Sequence, residues 1–148
     1  MQTFRRAVLH VDDDPAILRV VGARLRSLGY EVISLDDPTQ TIASLLEYNC
    51  RVAILDIDMP RENGLDVLSR IKEFDGGVQV IMLTGLVSMN SVLESMRRGA
   101  EACVFKPIVD FDELHSALNA TFVKLDRWMQ TLQDLTRRRQ QEPCALAP

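Results

Sequence analysis

The sequence predicts an α/β domain built on an open, doubly wound parallel sheet, in which five strands alternate with five helices. Two observations lead to this prediction. Short runs that are apolar almost throughout recur along the 148-residue chain, and stretches with apolar residues at helical spacing separate them. Strands that are apolar throughout are typical of a sheet covered on both faces. Their regular alternation with helices is the pattern of the doubly wound class.

The five expected strands are short apolar runs. They are AVLHV at 7–11, VISL at 32–35, VAIL at 52–55, VQVIML at 78–83 and ACVF at 102–105. The first of them contains His10, which we expect to be a buried, hydrogen-bonded core histidine, because a lone histidine in an apolar run is more often that than a ligand or catalyst.

The helices between the strands have recognisable starts and ends. Asp-Pro pairs at 14–15 and 37–38 each combine an N-cap side chain with a proline that the first helical turn tolerates. The segment DFDE at 110–113 resembles a capping box at the start of the last helix. Gly29 and Gly99 stand where helices are expected to end, as glycine does in left-handed C-caps.

The last helix is predicted to be longer than the others. Neither glycine nor proline occurs from Asp112 to Gln141, so the helix could reach about 45 Å at about 1.5 Å per residue. We divide the chain into a domain at 1–120 and a helical extension and tail at 121–148. Five apolar residues of this helix are spaced alternately by four and three, which is typical of a coiled-coil seam: Leu118, Phe122, Leu125, Met129 and Leu132. We expect them to form a partner surface or a homodimer interface. The alternative is that the end of the helix is a plain linker.

The composition favours a globular domain and argues against several other classes of protein. The length suits one domain, and 47% hydrophobic with 26% charged residues is ordinary for a globular chain. The formal net charge of -4 argues against nucleic acid as the main partner. The three cysteines lack metal-type spacing and suggest neither a disulfide framework nor a zinc site. No apolar run of about 18 residues is present, so we expect no membrane partner and a cytoplasmic location.

Five polar side chains stand where the predicted strands end. Asp12 and Asp13 follow the first strand, Asp56 the third, Thr84 the fourth and Lys106 the fifth. Parallel strands end at the same edge of a sheet, and such sheets bind ligands outside that edge. We therefore expect these five residues to form one site.

Three converging carboxylates would repel one another, and a divalent cation would remove that repulsion. Ligation by oxygen alone favours Mg²⁺ or Mn²⁺ over zinc. Lys106 would add a fixed positive charge and Thr84 a hydroxyl for an anionic ligand. A carboxylate nucleophile, a divalent cation, a lysine and a hydroxyl together fit the formation of an acyl phosphate at an aspartate.

Four stretches of the sequence resemble the signature motifs of the response-regulator receiver family, in the family's order and at its spacing. They are VDDDP at 11–15, LDIDMPRENG at 55–64, MLTG at 82–85 and FKP at 105–107. The resemblance covers about residues 5–120. It implies a flavodoxin-like fold with strand order 2-1-3-4-5, and a signalling domain that is not an enzyme beyond Mg²⁺-dependent self-phosphorylation and dephosphorylation.

The resemblance also implies roles for the acidic residues. Asp56 would accept a phosphoryl group from a histidine kinase or a histidine phosphotransfer protein. Asp13 and Asp56 would bind Mg²⁺ directly together with the backbone carbonyl of Asp58, and Asp12 would act through water. The downstream partner would be another protein, or an output domain that these 148 residues do not include.

Lys106 would pair with the phosphoryl group, and Thr84 would shift to hydrogen-bond it, moving the loop that follows. Pro107 would take the cis peptide bond that the family's lysine-proline step implies. Three residues before the lysine the family usually has tyrosine or phenylalanine, but here that position is Cys103. We therefore expect phosphorylation to be transmitted through loop 85–89 and the helix after it.

Two other functions are alternatives at this stage. A pseudo-receiver would have the fold but bind partners without being phosphorylated. A phosphatase of the haloacid-dehalogenase type is suggested by the DxD spacing of Asp56 and Asp58. Against the phosphatase, the strand that carries DxD in those enzymes ordinarily comes first in the chain, and the later acidic motif of those enzymes does not follow Lys106.

Overall fold

The computed structural model describes residues 4–85, 88–106 and 109–141, and the expected alternation of strands and helices is present within them. The elements in chain order are β1 (Ala7–Val11), α1 (Pro15–Ser27), β2 (Glu31–Leu35), α2 (Thr41–Glu47), β3 (Val52–Leu55), α3 (Gly64–Phe74), β4 (Gln79–Thr84), α4 (Met89–Arg97), β5 (Ala102–Phe105) and α5 (Asp112–Gln141). A short 3-10 turn, Pro38–Gln40, precedes α2.

The strands form one parallel sheet in the order β2-β1-β3-β4-β5, which confirms the predicted fold. β1 lies between β2 and β3, with Val11 opposite both Leu35 and Leu55. On the other side of β3, Leu55 lies opposite Met82 of β4. The residues that follow β1 and β3 are therefore neighbours at the carboxyl edge of the sheet.

Two apolar cores cover the two faces of the sheet, because successive strand residues point to opposite sides. On one face, Leu9 and Leu55 pack with Leu68 and Ile71 of α3. The other core is formed by strand residues together with side chains of α1 and α5: Val8, Ile54, Ile81, Leu25, Leu118 and Phe122. This two-faced burial explains why the strands read as uninterrupted apolar runs.

The predicted helix boundaries agree with the backbone. The Asp14 side chain caps α1 by accepting a 2.9 Å hydrogen bond from the Ala16 amide. Asp37 accepts one of 3.0 Å from the Thr39 amide, although the element it opens is the 3-10 turn before α2. Gly29 and Gly99 have φ angles of 96° and 97°, the left-handed conformation in which glycine ends a helix.

Helix α5 has the predicted bounds, but its apolar stripe does not form the expected surface. Leu118, Phe122 and Leu125 are at most 5% exposed and belong to the core that α5 forms with the sheet and α1. The prediction that these three residues lie on a partner surface is therefore wrong. Alternating spacings of four and three describe one side of any packed helix, whether its neighbour is in the same chain or another.

The exposed apolar residues of α5 lie nearer its C-terminus and define a second stripe. Trp128, Leu132 and Leu135 are 62%, 56% and 49% exposed. Just before this stripe, Asp126 is held by Arg6 at 2.8 Å and by the Phe4 amide at 3.0 Å. The helix thus stays packed on the domain as far as Asp126. Among the described residues no helix is long and apolar enough to span a membrane.

Candidate functional site

Three carboxylates meet at the carboxyl edge of the sheet, as predicted. Asp12, Asp13 and Asp56 each offer an oxygen, and these oxygens all lie within 4.8 Å of one another. The Asp56 amide donates to the carbonyl of Val11 at 3.1 Å, which extends the β1–β3 pairing by one residue and fixes the position of Asp56. Asp12 is fully buried and Asp56 is 5% exposed, whereas Asp13 faces solvent.

Lys106 joins this cluster from the end of β5. Its Nζ atom donates to Oδ2 of Asp12 at 2.7 Å and to Oδ2 of Asp56 at 3.3 Å. The Lys106 amide also donates to the carbonyl of Thr84 at 2.9 Å, so the ends of β4 and β5 are held side by side. Four of the five predicted site residues are thereby brought into one group of charges, and Thr84 lies beside them.

The environment of the Asp56 carboxyl group disfavours its ionised form. Burial raises the pKa of its carboxyl group, and the negative charge of Asp12 raises it further. The charge of Lys106 and hydrogen bonds from Lys106 and Thr84 lower the pKa, but the net shift is upward. Burial alone would lower the pKa of Lys106, yet its hydrogen bonds and ion pairs with Asp12 and Asp56 leave that pKa raised. The lysine is therefore a stable positive charge.

The loop after Asp56 closes tightly over it. The Gly64 amide donates to the carbonyl of Ile57 at 2.7 Å. A Cβ atom at Gly64 would overlap the backbone carbonyl oxygen of Asp56, so no other residue fits without moving the loop. Met59 is 6% exposed and packs into the core. Both residues therefore shape the loop.

The donor set of the cluster fits a hard divalent cation. All the side-chain ligands that Asp12, Asp13 and Asp56 offer are carboxylate oxygens, the ligands that Mg²⁺ and Mn²⁺ prefer. A cation there would offset three negative charges that Lys106 balances only in part. Asp58 has an exposed side chain two residues beyond Asp56. Its backbone carbonyl as a further ligand stays a prediction.

Comparison with known proteins decides which family the arrangement belongs to. The family model described as response regulator receiver domain matches residues 8–119. The chain belongs to this receiver family. It is therefore a receiver domain of a two-component signalling system, and neither the pseudo-receiver nor the phosphatase alternative is favoured.

Relatives of the receiver domain include full-length regulators. The DNA-binding response regulator MtrA of Mycolicibacterium smegmatis is 33% identical over 107 residues, which are 72% of this chain and 46% of MtrA. The transcriptional regulatory protein GlrR of Escherichia coli is 30% identical over 112 residues, 76% of this chain and 25% of GlrR. The chain thus spans half or less of the length of these relatives.

Solved structures show the same fold. A CheY-like response regulator receiver domain protein from Methanospirillum hungatei is similar with a TM-score of 0.77 and 27% identity, covering 84% of this chain and 98% of that one. The response regulator TrrA of Thermotoga maritima, in complex with Mg²⁺ and BeF, gives a TM-score of 0.71 at 29% identity, covering 80% of this chain and 99% of that one.

One polar residue of the receiver domain departs from expectation. His10 is fully buried, as predicted, but neither ring nitrogen has a hydrogen-bond partner among the residues that the structure describes, so the expectation of a hydrogen-bonded histidine is wrong there. Burial and, secondarily, the charge of Lys106 lower the pKa of His10 to about 3. The ring is neutral at physiological pH.

Arg61 was not among the site residues predicted from the sequence. This residue lies in the loop after Asp56 and forms a 3.0 Å salt bridge with Asp37, in the loop after β2. One signal was available, because Arg61 is the sole cationic residue of the stretch LDIDMPRENG. Two other expectations fall outside the described residues: the peptide bond of Pro107, and the part of loop 85–89 formed by residues 86 and 87.

Proposed function

We propose that this receiver domain accepts a phosphoryl group on Asp56 in the presence of Mg²⁺, and thereby changes its contacts with another protein. One observation carries the proposal: the almost buried carboxylate of Asp56 lies within 4.8 Å of two further carboxylates and accepts a hydrogen bond from Lys106. Such a cluster is costly to leave without a cation, and it suits phosphoryl transfer to an aspartate.

In the proposed reaction a carboxylate oxygen of Asp56 attacks the phosphorus atom of the donor. An O–P bond forms, and the bond from phosphorus to the donor's nitrogen or acyl oxygen breaks. Lys106 and the hydroxyl of Thr84 would stabilise the charge on the phosphoryl oxygens. A bound Mg²⁺, held by Asp12, Asp13 and Asp56, would neutralise the approaching phosphate and the carboxylates. The chain's own contribution is therefore positioning and charge balance.

We propose a histidine kinase or a histidine phosphotransfer protein as the donor and a protein as the recipient of the signal. The Mg²⁺–BeF complex of TrrA supports the use of Mg²⁺, and the net charge of -4 supports protein partners over nucleic acid. We propose that the domain acts in the reducing cytoplasm, where the thiols of Cys50 and Cys103 would stay free. Catalysis would be limited to self-phosphorylation and dephosphorylation.

Incubation with Mg²⁺ and acetyl phosphate, followed by intact mass, tests the proposal. The wild type should gain one phosphoryl group, and Asp56→Asn should gain none, because an amide keeps the shape but is not a nucleophile. Asp66→Asn is a matched control, since the Asp66 side chain is 65% exposed and lies on α3 outside the cluster. Full labelling of Asp56→Asn, or an unlabelled wild type, would contradict the proposal.

We also propose that the exposed stripe of Trp128, Leu132 and Leu135 associates with a second copy of the chain. Large apolar side chains repeated on one side of a projecting helix support this. Sedimentation of the phosphorylated protein should show a dimer that Leu132→Asp with Leu135→Asp abolishes. A wild type that sediments as a monomer at tens of micromolar would show that the helix end is a linker.

A further inference from the structure

A cavity of about 260 Å³ opens at the mouth of the carboxylate cluster. It is lined by Asp13, Asp36, Pro38, Pro60 and Arg61. Asp13 belongs to both the cavity and the cluster, so the cavity adjoins the phosphoacceptor site. It has room for several waters, at about 30 Å³ each, or for one small anion.

The mouth of this cavity is rich in negative charge. Asp13 and Asp36 line it, and Asp37 lies next to it in the same loop as Asp36. A phosphoryl donor is itself an anion, so the charges of Asp36 and Asp37 disfavour its approach even where a cation offsets that of Asp13. Lys106 cannot offset this at the mouth, because its Nζ is bonded to Asp12 and Asp56 further inside. Of the five lining residues, Arg61 alone is cationic.

Arg61 can be released from its present partner at little cost. Its guanidinium pairs with Asp37, but its side chain is 67% exposed, and exposed ion pairs contribute little net stability. Asp37 keeps other partners without it, because the amide and the hydroxyl of Thr39 donate to the same carboxylate at 3.0 and 2.7 Å. The salt bridge between the two loops can therefore open without leaving Asp37 unsatisfied.

We propose that Arg61 is a positioning residue for the phosphoryl donor, and that this cavity is the donor's anion-binding subsite. Arg61 would exchange the Asp37 carboxylate for oxygens of a small acyl phosphate. The planar guanidinium fits such oxygens with two parallel hydrogen bonds. During transfer the Asp56 O–P bond forms, the acyl O–P bond breaks and a carboxylate leaves, with no additional reactant. The inference rests on the proposed function, because it assigns the donor subsite of the same reaction.

Opposite effects of two substitutions test the proposal. With acetyl phosphate and saturating Mg²⁺, Arg61→Gln should slow labelling by at least about tenfold, because it removes hydrogen bonds between charged groups. Asp37→Asn should accelerate labelling, because it frees Arg61 and removes a negative charge. Arg61→Lys should retain part of the rate, since it keeps the charge without the planar fork. Added salt should slow the wild type more than Arg61→Gln.

Matched controls separate donor binding from general effects of charge. Arg70→Gln removes a positive charge from an arginine that pairs with Glu62 at 2.8 Å and does not line the cavity. Asp66→Asn removes a negative charge from an exposed side chain that does not line the cavity. Neither should change the rate more than about twofold, within the small effects of substitutions on a solvated surface. The Mg²⁺ affinity of each variant, from thermal melting, should stay within the same range, so that a rate change reports on the donor.

The outcomes distinguish the two claims. If the Arg61–Asp37 salt bridge only fastens two loops, both substitutions should change the rate in the same direction, and the inference is overturned. Equal rates in Arg61→Gln and the wild type overturn it as well, while complete labelling of Asp56 leaves the proposed function intact. A wild type that gains no phosphoryl group overturns the proposed function and the inference together.

Discussion

Lys106 and Asp12 are joined by a 2.7 Å hydrogen bond between residues 94 positions apart in the sequence. The bond lies at the carboxyl edge of the sheet, and it places a cation beside the buried carboxylate of Asp12. It leaves the site unbalanced, because one ammonium group faces the carboxylates of Asp12, Asp13 and Asp56. The domain without a metal therefore contains electrostatic repulsion that ligand binding can relieve.

This imbalance predicts that Mg²⁺ stabilises the fold. A cation that binds only the folded state should raise the free energy of unfolding by about 2.7 kcal/mol at 100 times its dissociation constant. Asp13→Asn should raise the melting temperature without Mg²⁺, because it removes one repelling charge, and should weaken the response to Mg²⁺. Thermal melting across a Mg²⁺ titration measures both. A wild-type melting temperature that does not change when Mg²⁺ is added would contradict the predicted cation site.

The sequence was sufficient for the parts of the structure that depend on local pattern. Uniformly apolar strands, Asp-Pro starts and left-handed glycines specify where each element lies, and parallel strands then bring Asp12, Asp56 and Lys106 to one edge. Residue spacing could not show which partner an apolar helix side meets, because packing inside the chain and between chains uses the same periodicity. Nor could it show Arg61 meeting Asp37, because that contact depends on how two loops are positioned.

Helix α5 carries both buried and exposed leucines, which allow a matched pair of substitutions. Leu125 is 5% exposed in the core, whereas Leu132, two turns later on the same helix, is 56% exposed. Leu125→Ala should lower the free energy of unfolding by about 2–5 kcal/mol through lost burial and a cavity. Leu132→Ala should change it by less than about 0.5 kcal/mol in the monomer. Urea denaturation at low concentration measures both, and equal losses would contradict the assignment of Leu125 to the core.

The buried ring of His10 predicts a pH dependence of stability. Its pKa in the folded state is about 3 against a reference of 6.5, so between these values the unfolded chain binds more protons. Stability from this residue is therefore complete above pH 6.5 and falls as the pH decreases, by up to about 1.4 kcal/mol per pH unit. The raised pKa of Asp56 acts in the opposite direction, and Lys106 faces both groups.

A comparison of His10→Leu with the wild type isolates the contribution of His10 to the pH dependence of stability. The variant removes two ring nitrogens that have no hydrogen-bond partner in the described part of the chain, so its free energy of unfolding should rise by about 1–3 kcal/mol at neutral pH. Its advantage should grow as the pH falls below 6.5, because leucine has no proton to bind. Urea denaturation between pH 4 and 8, about the range in which histidine and carboxyl groups titrate, gives the two curves. Parallel curves would show that His10 titrates in the folded protein as it does in the unfolded chain, and would contradict the lowered pKa.

Cys103 bears on how we expect phosphorylation of Asp56 to be transmitted to the surface. Cys103 is half-buried on β5 and borders a cavity of about 180 Å³ between β5 and α4, whose lining includes Val92, Ser95 and Met96. No large side chain occupies the position from which the family's aromatic residue usually responds to the shifted hydroxyl. We therefore expect phosphorylation of Asp56 to alter amide exchange mainly in residues 85–89 and the first turn of α4, with little change in β5.

Hydrogen exchange of the phosphorylated and unphosphorylated protein measures that distribution, and Cys103→Tyr provides the comparison. A tyrosine would extend an aromatic ring towards the α4–β5 cavity and couple the hydroxyl of Thr84 to β5, so exchange changes in the variant should extend into residues 102–105. Asp56 should be phosphorylated to the same extent in both proteins. Among the described residues, no hydrogen bond or ion pair joins Cys103 to the carboxylate cluster. If amide exchange in β5 of the wild type changes on phosphorylation as much as exchange at the start of α4, Cys103 transmits the signal as an aromatic residue would. That result would contradict transmission through the loop alone.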